Sequence, residues 1–318
     1  MTGEGKIRIG AVVGCTASGK TALAIELAKR LDGEIICCDS MQIYKGMDIG
    51  TAKPTAEERK TVAHHLTDFL SPDVPYSCAD YVKDAEKAVE DITSRGKFPL
   101  FCGGTGLYLD RFLKGGTEDG AVSLPEYREE LYKYAQTHGA GALYAILEQK
   151  DKECAASVHP NNIKRVVRAL EIIEATGEKK SDVDKRNSRM TDKYESVVIF
   201  PYFNDRSLLY SRIDRRVDKM MADGLADETE RLYRDGVFDK SFTASQAIGY
   251  KELLPYVLGE DTLENCIEKL KTATRRYAKR QLTWFSSKEY AQKVEMDDAN
   301  GEKMFEDIVN ISEKLFYC

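Results

Sequence analysis

A chain of 318 residues, 42% hydrophobic and 31% charged, has enough apolar content to bury a substantial core and is ordinary for a globular protein. It contains no run of about 18 apolar residues to span a membrane, its first residues lack the basic-then-apolar pattern of a secretory leader, and a net charge of −6 argues against indiscriminate binding to polyanions. Eight cysteines without a C-x-x-C pair and four histidines suggest neither a disulfide framework nor a zinc site, so a cytoplasmic protein of one large domain plus an insertion is expected.

The first informative stretch pairs an apolar run, Ile9 to Val13, with Gly14-Cys15-Thr16-Ala17-Ser18-Gly19-Lys20-Thr21, which fits the phosphate-cradling pattern G-x-x-x-x-G-K-[ST]. Thr21 to Leu31 then carries Leu23, Leu27 and Leu31 at helical spacing, so strand, loop and helix follow in the order the motif requires. Glycines let successive backbone N–H groups point inward, and the helix starting at Lys20 aims its positive dipole end at the same anion. A di- or triphosphate is the expected ligand, with Lys20 on its outer phosphates and the Thr21 hydroxyl on Mg²⁺.

A second strand, Glu34 to Cys38, ends in Asp39-Ser40-Met41-Gln42. In an open parallel sheet ligands bind at the carboxyl ends of strands, so Asp39 is placed to act as a base, to hold Mg²⁺, or simply to cap the next turn. Tyr44 to Pro54 is Gly-rich and polar and reads as a substrate-facing loop. His64-His65 is expected on a short helix and turn. Ser77 to Ser94 reads as an amphipathic helix whose stripe of Tyr81, Ala85, Ala88 and Ile92 belongs to the core. A third strand, Phe98 to Cys102, runs into Gly103-Gly104-Thr105-Gly106; Thr105 either donates to an anion or caps the following helix.

From about Glu118 to Tyr194 the chain is charged, tyrosine-rich and helical in period, which predicts a helical insertion at 118–194 within an α/β core formed by 1–117 and 195–318. Within it Lys164, Arg165 and Arg168 cluster on one helix, and Ser181 to Asp192 reads as a mobile link. Ser196 to Phe200 restores a buried strand. The helix from Leu208 to Met221 bears Arg212, Arg215 and Arg216, of which Arg216 is a candidate for a diphosphate. The helix from Asn265 to Phe285 carries Lys271, Arg275, Arg276, Lys279 and Arg280, five cations over ten residues unbalanced by acids, a face suited either to solvent or to phosphate backbone contacts.

Six blocks in order, GCTASGKT from Gly14, DSMQIYKGMDIGTAKP from Asp39, GGTGLY from Gly103, HPNN and KRVVRALE from His159, QAIGYKE from Gln246 and RRYAKRQLTWF from Arg275, closely resemble the bacterial-type tRNA dimethylallyltransferases, also called tRNA isopentenyltransferases. The second position of the phosphate loop is more often Pro in that family and is Cys15 here, at a place where the backbone does the binding. The resemblance implies a P-loop NTPase-like parallel sheet flanked by helices, with a helical insertion domain, and Mg²⁺-dependent transfer of the dimethylallyl group from dimethylallyl diphosphate to the exocyclic amine of the adenosine at position 37 of tRNA. It implies that Gly14 to Thr21 hold the diphosphate leaving group; that Lys20, Thr105 and Arg216 stabilise its charge; and that Asp39 receives the amine proton. It further implies tRNA contacts from Asp39, Ser40, Met41, Gln42 and Arg128, from Lys164, Arg165, Val166, Val167 and Arg168, and from Arg275, Arg276, Lys279 and Arg280. A monomer without membrane contact is the default expectation. An isopentenyltransferase acting on free adenine nucleotides, a P-loop small-molecule kinase and a nucleotide-dependent RNA-binding switch share parts of this pattern, but a small acceptor needs neither basic surface.

Overall fold

A computed structural model describes residues 5–115, 123–297 and 302–316. The chain divides into two compact units, one made of residues 1–76, 80–110 and 192–318 and the other of 77–79 and 111–191. The boundary expected between residues 117 and 118 lies outside the described residues.

The larger unit is built on β1 (Ile7–Val13), α1 (Lys20–Arg30), β2 (Gly33–Cys37), α2 (Ala56–Thr61), β3 (His64–His65), α3 (Cys78–Ser94) and β4 (Phe98–Gly103), after which α4 (Gly106–Leu113) leads out. The smaller unit holds α5 (Pro125–His138), α6 (Ala140–Lys150), α7 (Lys152–Ala156), α8 (Ile163–Thr176) and α9 (Lys180–Arg186). The chain then returns through β5 (Tyr194–Tyr202), α10 (Arg206–Ala222), α11 (Leu225–Arg234), α12 (Val237–Lys240), α13 (Phe242–Ser245), α14 (Tyr250–Val257), α15 (Leu263–Ser286), β6 (Ala291–Glu295) and α16 (Glu302–Leu315).

The described strands form one sheet in the order β3-β2-β4-β1-β5-β6, and every neighbouring pair is parallel. Helices cover both faces, which is why the inner strands read as unbroken apolar runs rather than as alternating ones. Val12, Ile35, Leu100 and Ile199 from the sheet meet Leu23 and Leu27 of α1 and Leu209 and Ile213 of α10 in a single apolar cluster. A second cluster packs Ile43, Tyr44 and Met47 against Val217, Leu225, Tyr250 and Leu270, so the start of the Gly-rich connection after β2 is anchored by four helices.

Three local expectations change. His64-His65 is an edge strand, because β3 pairs with Ile35 and Ile36 of β2 while His65 Nε2 shares a 2.6 Å hydrogen bond with Glu34. The stretch read as a mobile link begins as helix α9, pinned by Asp151, whose carboxylate accepts from Ser181 N at 2.7 Å and Ser181 Oγ at 2.9 Å. Two of the five cations of α15 are balanced: Arg275 forms a two-point pair with Asp214, and Lys271 lies 2.8 Å from Asp218, both acids coming from α10. Periodicity within one helix cannot report counter-charges supplied by its neighbour.

Candidate active site

Three turns leave the sheet at one level. Val13 pairs with Gly103, and Cys37 and Val12 both pair with Cys102, so the phosphate loop after β1, the Asp39 turn after β2 and the Gly103-Gly104-Thr105 turn after β4 emerge side by side. Because β4 lies between β1 and β2, Thr105 stands between the other two. The backbone joins them directly: Gly14 N donates to Gly103 O at 3.3 Å, and Thr105 N donates to Cys38 O at 3.0 Å. A side chain at Gly103 would meet Cys38 O at 2.0 Å, which explains the first glycine of that turn.

The phosphate loop is curled by left-handed backbone at Ala17 (φ 63°) and Gly19 (φ 87°), the latter immediately before α1. Lys20 Nζ donates to Cys15 O at 3.2 Å across the loop, leaving its other two protons for a ligand. Cys15 is fully buried and its thiol is pushed up to about 11 by burial, so it is neutral and its contribution is made by the backbone. Ser18 Oγ is buried without a hydrogen-bond partner among the described residues, as expected of a hydroxyl built to meet an anion.

Arg216 enters from α10. Its Nε is buried with no partner, and loss of hydration pulls its pKa down, against which Asp39 and then Glu58 act. Lys20 is likewise pulled down, first by burial and then by Arg216, with Asp39 among the groups opposing the shift. Lys20, Arg216 and Asp39 therefore share one electrostatic site in which cations outnumber the acid. Sequence reading singled out Arg216 but missed Arg212, one turn earlier, whose Nε donates to Ala17 O at 3.0 Å. Their i, i+4 spacing was the available signal.

Asp39 Oδ1 accepts from Met41 N at 2.9 Å, so one oxygen caps the turn, while Oδ2 has no partner among the described residues. The Thr105 hydroxyl accepts from Ser40 N at 3.0 Å and lies 3.3 Å from Ser40 Oγ, which ties its turn to that of Asp39. Gln42 braces the next loop through Nε2, donating to Thr51 O and Ala52 O at 3.1 Å each.

An open cleft of about 460 Å³ leads to Thr21 and Arg216, walled by Asp48, Ile49, Ala52, Lys53, Pro54 and Thr55 on one side and by Met220 opposite. The loop wall is held by two devices that the sequence did not announce. Glu228 of α11, 7% exposed, accepts from Asp48 N at 3.1 Å, Ile49 N at 2.9 Å, Gly50 N at 3.0 Å and Tyr250 OH at 2.7 Å. Lys53 Nζ, equally enclosed, donates to Tyr44 O at 2.7 Å and pairs with Asp48 and Asp68 at 2.6 and 2.7 Å.

In the larger unit, Arg276, Lys279 and Arg280 of α15 are exposed and form no ion pair among the described residues, whereas Arg275 is committed to Asp214. In the smaller unit, the side chains of Val166 and Val167 are buried in the helical core, so any contact at these positions would be made by backbone. Lys164 and Arg165 sit at the start of α8, where Asn162 caps the helix. Arg128 and Arg168 converge on Glu171, whose side chain is fully buried, at 2.8 and 2.6 Å.

Among the described residues no group of three or more His, Cys, Asp or Glu side chains is arranged to hold a metal. That donor set does not rule on Mg²⁺, which is commonly held by one or two protein oxygens, water and substrate phosphates. Thr21, lining the cleft beside Arg216, is such an oxygen.

The model of the IPP transferase family matches residues 42–288, and that of the isopentenyl transferase family matches residues 7–68. A tRNA dimethylallyltransferase from Thermoanaerobacter sp. (strain X514) is 43% identical over 305 residues, covering 95% of this chain and 96% of the relative. Among solved structures, the full-length tRNA isopentenylpyrophosphate transferase from Bacillus halodurans is 42% identical with a TM-score of 0.72 over 98% of this chain and 97% of that one. A eukaryotic dimethylallyltransferase acting on tRNA is 30% identical with a TM-score of 0.83, covering 98% and 80%.

Proposed function

The chain belongs to the tRNA dimethylallyltransferase (IPP transferase) family and is a prenyl transferase that modifies tRNA, and on that premise we propose how its residues carry the reaction. The donor is dimethylallyl diphosphate, and the acceptor is the exocyclic amine of the adenosine next to the anticodon. The observation that carries this reading is the grouping of Lys20 and the unpartnered Arg216 Nε at a phosphate loop, with the free Oδ2 of Asp39 on the same site.

The diphosphate lies in the loop from Gly14 to Thr21, where inward N–H groups, the Ser18 hydroxyl, Lys20 and Arg216 neutralise it. The Thr21 hydroxyl would hold Mg²⁺ together with the ligand's own oxygens, and the ion would add positive charge at the leaving group. As the allylic carbon–oxygen bond breaks, its electron pair passes to the diphosphate, and these preorganised cations stabilise the charge without reorganising. The adenine nitrogen forms the new bond to the allylic carbon. Its surplus proton goes to Asp39 Oδ2, while Oδ1 stays fixed on Met41 N. Thr105 keeps Ser40, and with it the Asp39 turn, in place. An exocyclic aromatic amine is a weak nucleophile, so holding it in line contributes as much as the base does.

A stacked adenine cannot reach this site, so the base is extruded from its loop. Ser40, Met41 and Gln42 border its entry, Arg276, Lys279 and Arg280 meet backbone phosphates, and Lys164, Arg165, Arg128 and Arg168 contact the tRNA from the helical unit. No helix among the described residues is long and apolar enough to cross a membrane. The enzyme acts as a monomer in the cytoplasm, where its substrate resides.

The test is incubation of purified protein and Mg²⁺ with dimethylallyl diphosphate and unmodified tRNA, followed by nucleoside mass analysis. Adenosine carrying one five-carbon unit, formed with tRNA and not with free AMP, is expected. Prenylation of AMP, or ATP consumption without prenylation, overturns the reading.

A further inference from the structure

The phosphate loop and the Gly104 turn have to keep a fixed separation, since one holds the leaving group and the other supports the Asp39 turn. Sheet hydrogen bonding ends at their base, with Gly14 N on Gly103 O. Beyond that point a single side chain continues the connection. Gln281 of α15, 5% exposed, accepts from Thr16 N through Oε1 at 2.9 Å and donates from Nε2 to Gly104 O at 2.9 Å. It is 265 residues from the first partner and 177 from the second. The fit is close: a side chain at Gly104 would place its Cβ 2.2 Å from Gln281 Nε2.

The chemistry of this bridge is specific to an amide. One end has to accept an N–H and the other has to donate to a carbonyl, whereas an ionised carboxylate only accepts and a methionine of similar length offers a weak acceptor and no donor. The bond also fixes which way the Thr16 amide points, toward Gln281. The helix that buries this amide exposes Arg276, Lys279 and Arg280 on its other side.

We propose that Gln281 is a positioning residue for the transfer, setting the phosphate loop against the Gly104 turn so that leaving group and base stand in register. The inference rests on the reading of the loop as the diphosphate site. It is tested with Gln281→Glu, Gln281→Met and Gly104→Ala, using calorimetric binding of inorganic pyrophosphate with Mg²⁺ and steady-state prenylation of tRNA. Loss of the two hydrogen bonds is expected to weaken pyrophosphate binding about tenfold and to lower kcat more than it raises the KM for tRNA. Gly104→Ala is expected to reproduce these losses in the wild-type background and to add little in a Gln281→Ala background, where nothing remains to be displaced. Folded variants that bind pyrophosphate and turn over like the wild type, with only a lower Tm, would reduce Gln281 to a structural residue and overturn the proposal. So would additive effects of Gly104→Ala and Gln281→Ala. A wild-type protein that fails to bind pyrophosphate overturns the site reading instead, independently of how the variants compare with it.

Discussion

Asp39→Asn separates the two tasks of one carboxylate. The asparagine carbonyl can still accept the Met41 N–H that Oδ1 now receives at 2.9 Å, so the turn after β2 should survive. What is lost is the proton acceptor at Oδ2, which as general-base catalysis is worth about 10²- to 10⁴-fold, or roughly 3 to 5 kcal/mol of barrier. The same change removes the acid whose field opposes the depression of both Lys20 and Arg216, leaving the pocket more positive. The expected signature is therefore asymmetric: kcat falls by two to four decades, while affinity for the diphosphate donor holds or tightens and tRNA affinity stays within a few-fold. Single-turnover prenylation with saturating tRNA, together with donor binding by calorimetry, reads both sides. A kcat within tenfold of wild type would show that the amine needs no carboxylate and would refute the assignment. A weakened donor would show that Asp39 shapes the phosphate site instead.

Arg216→Ala, which removes a guanidinium whose buried Nε has no partner among the described residues, is expected to lower kcat/KM for the donor by about 10²- to 10³-fold with tRNA binding unchanged; an effect on tRNA affinity alone would move Arg216 to the acceptor side. Glu228→Ala strands the N–H groups of Asp48, Ile49 and Gly50 and the Tyr250 hydroxyl, and is expected to cost about 3 kcal/mol in urea unfolding after partial rehydration and to raise the donor KM as the cleft wall loosens. Unchanged stability would contradict the clamp. Glu34 is held down to about 2 from 4.5, chiefly by its hydrogen bonds with Arg95, with His65 helping and burial opposing. A depressed carboxylate stabilises the fold above its unfolded pKa and loses that contribution as pH falls from about 4.5 toward 2, here about 2 kcal/mol once the half-exposed Arg95 is discounted for screening. Urea midpoints between pH 6 and pH 3 should fall less in Glu34→Gln than in the wild type, and parallel declines would refute the linkage.

The parts of the site legible in the sequence were those in which a short segment carries its own chemistry. The phosphate loop announces itself because the flanking strand, the glycines and Lys20 are contiguous, and Asp39 and Thr105 follow because strand ends in a parallel sheet are where ligands bind. Residues that act across long separations gave no such signal. Gln281 reads as one more polar residue on a basic helix until the fold brings Thr16 and Gly104 to it, and Glu228 reads as a surface acid until α11 turns it under the loop at Asp48. The valines at 166 and 167 show the opposite case. They lie inside a block recognised as a unit, yet a helix has a face for its core, and theirs is that face.

The sheet order itself sets the spacing between the phosphate loop and Asp39. Neighbouring strands lie about 4.8 Å apart, and with β4 between β1 and β2 the backbones that carry the phosphate loop and Asp39 are separated by about 10 Å. In a phosphoryl transfer the acceptor attacks phosphorus, so its base would have to stand at the mouth of the loop. In a prenyl transfer the reacting carbon lies one atom beyond the diphosphate, and the nucleophilic nitrogen lies beyond that. Thr105, on the turn that follows the strand between, is tied to the Asp39 turn through Ser40. The phosphate loop and Asp39, the proposed base, are thus carried by the same sheet with one strand between them.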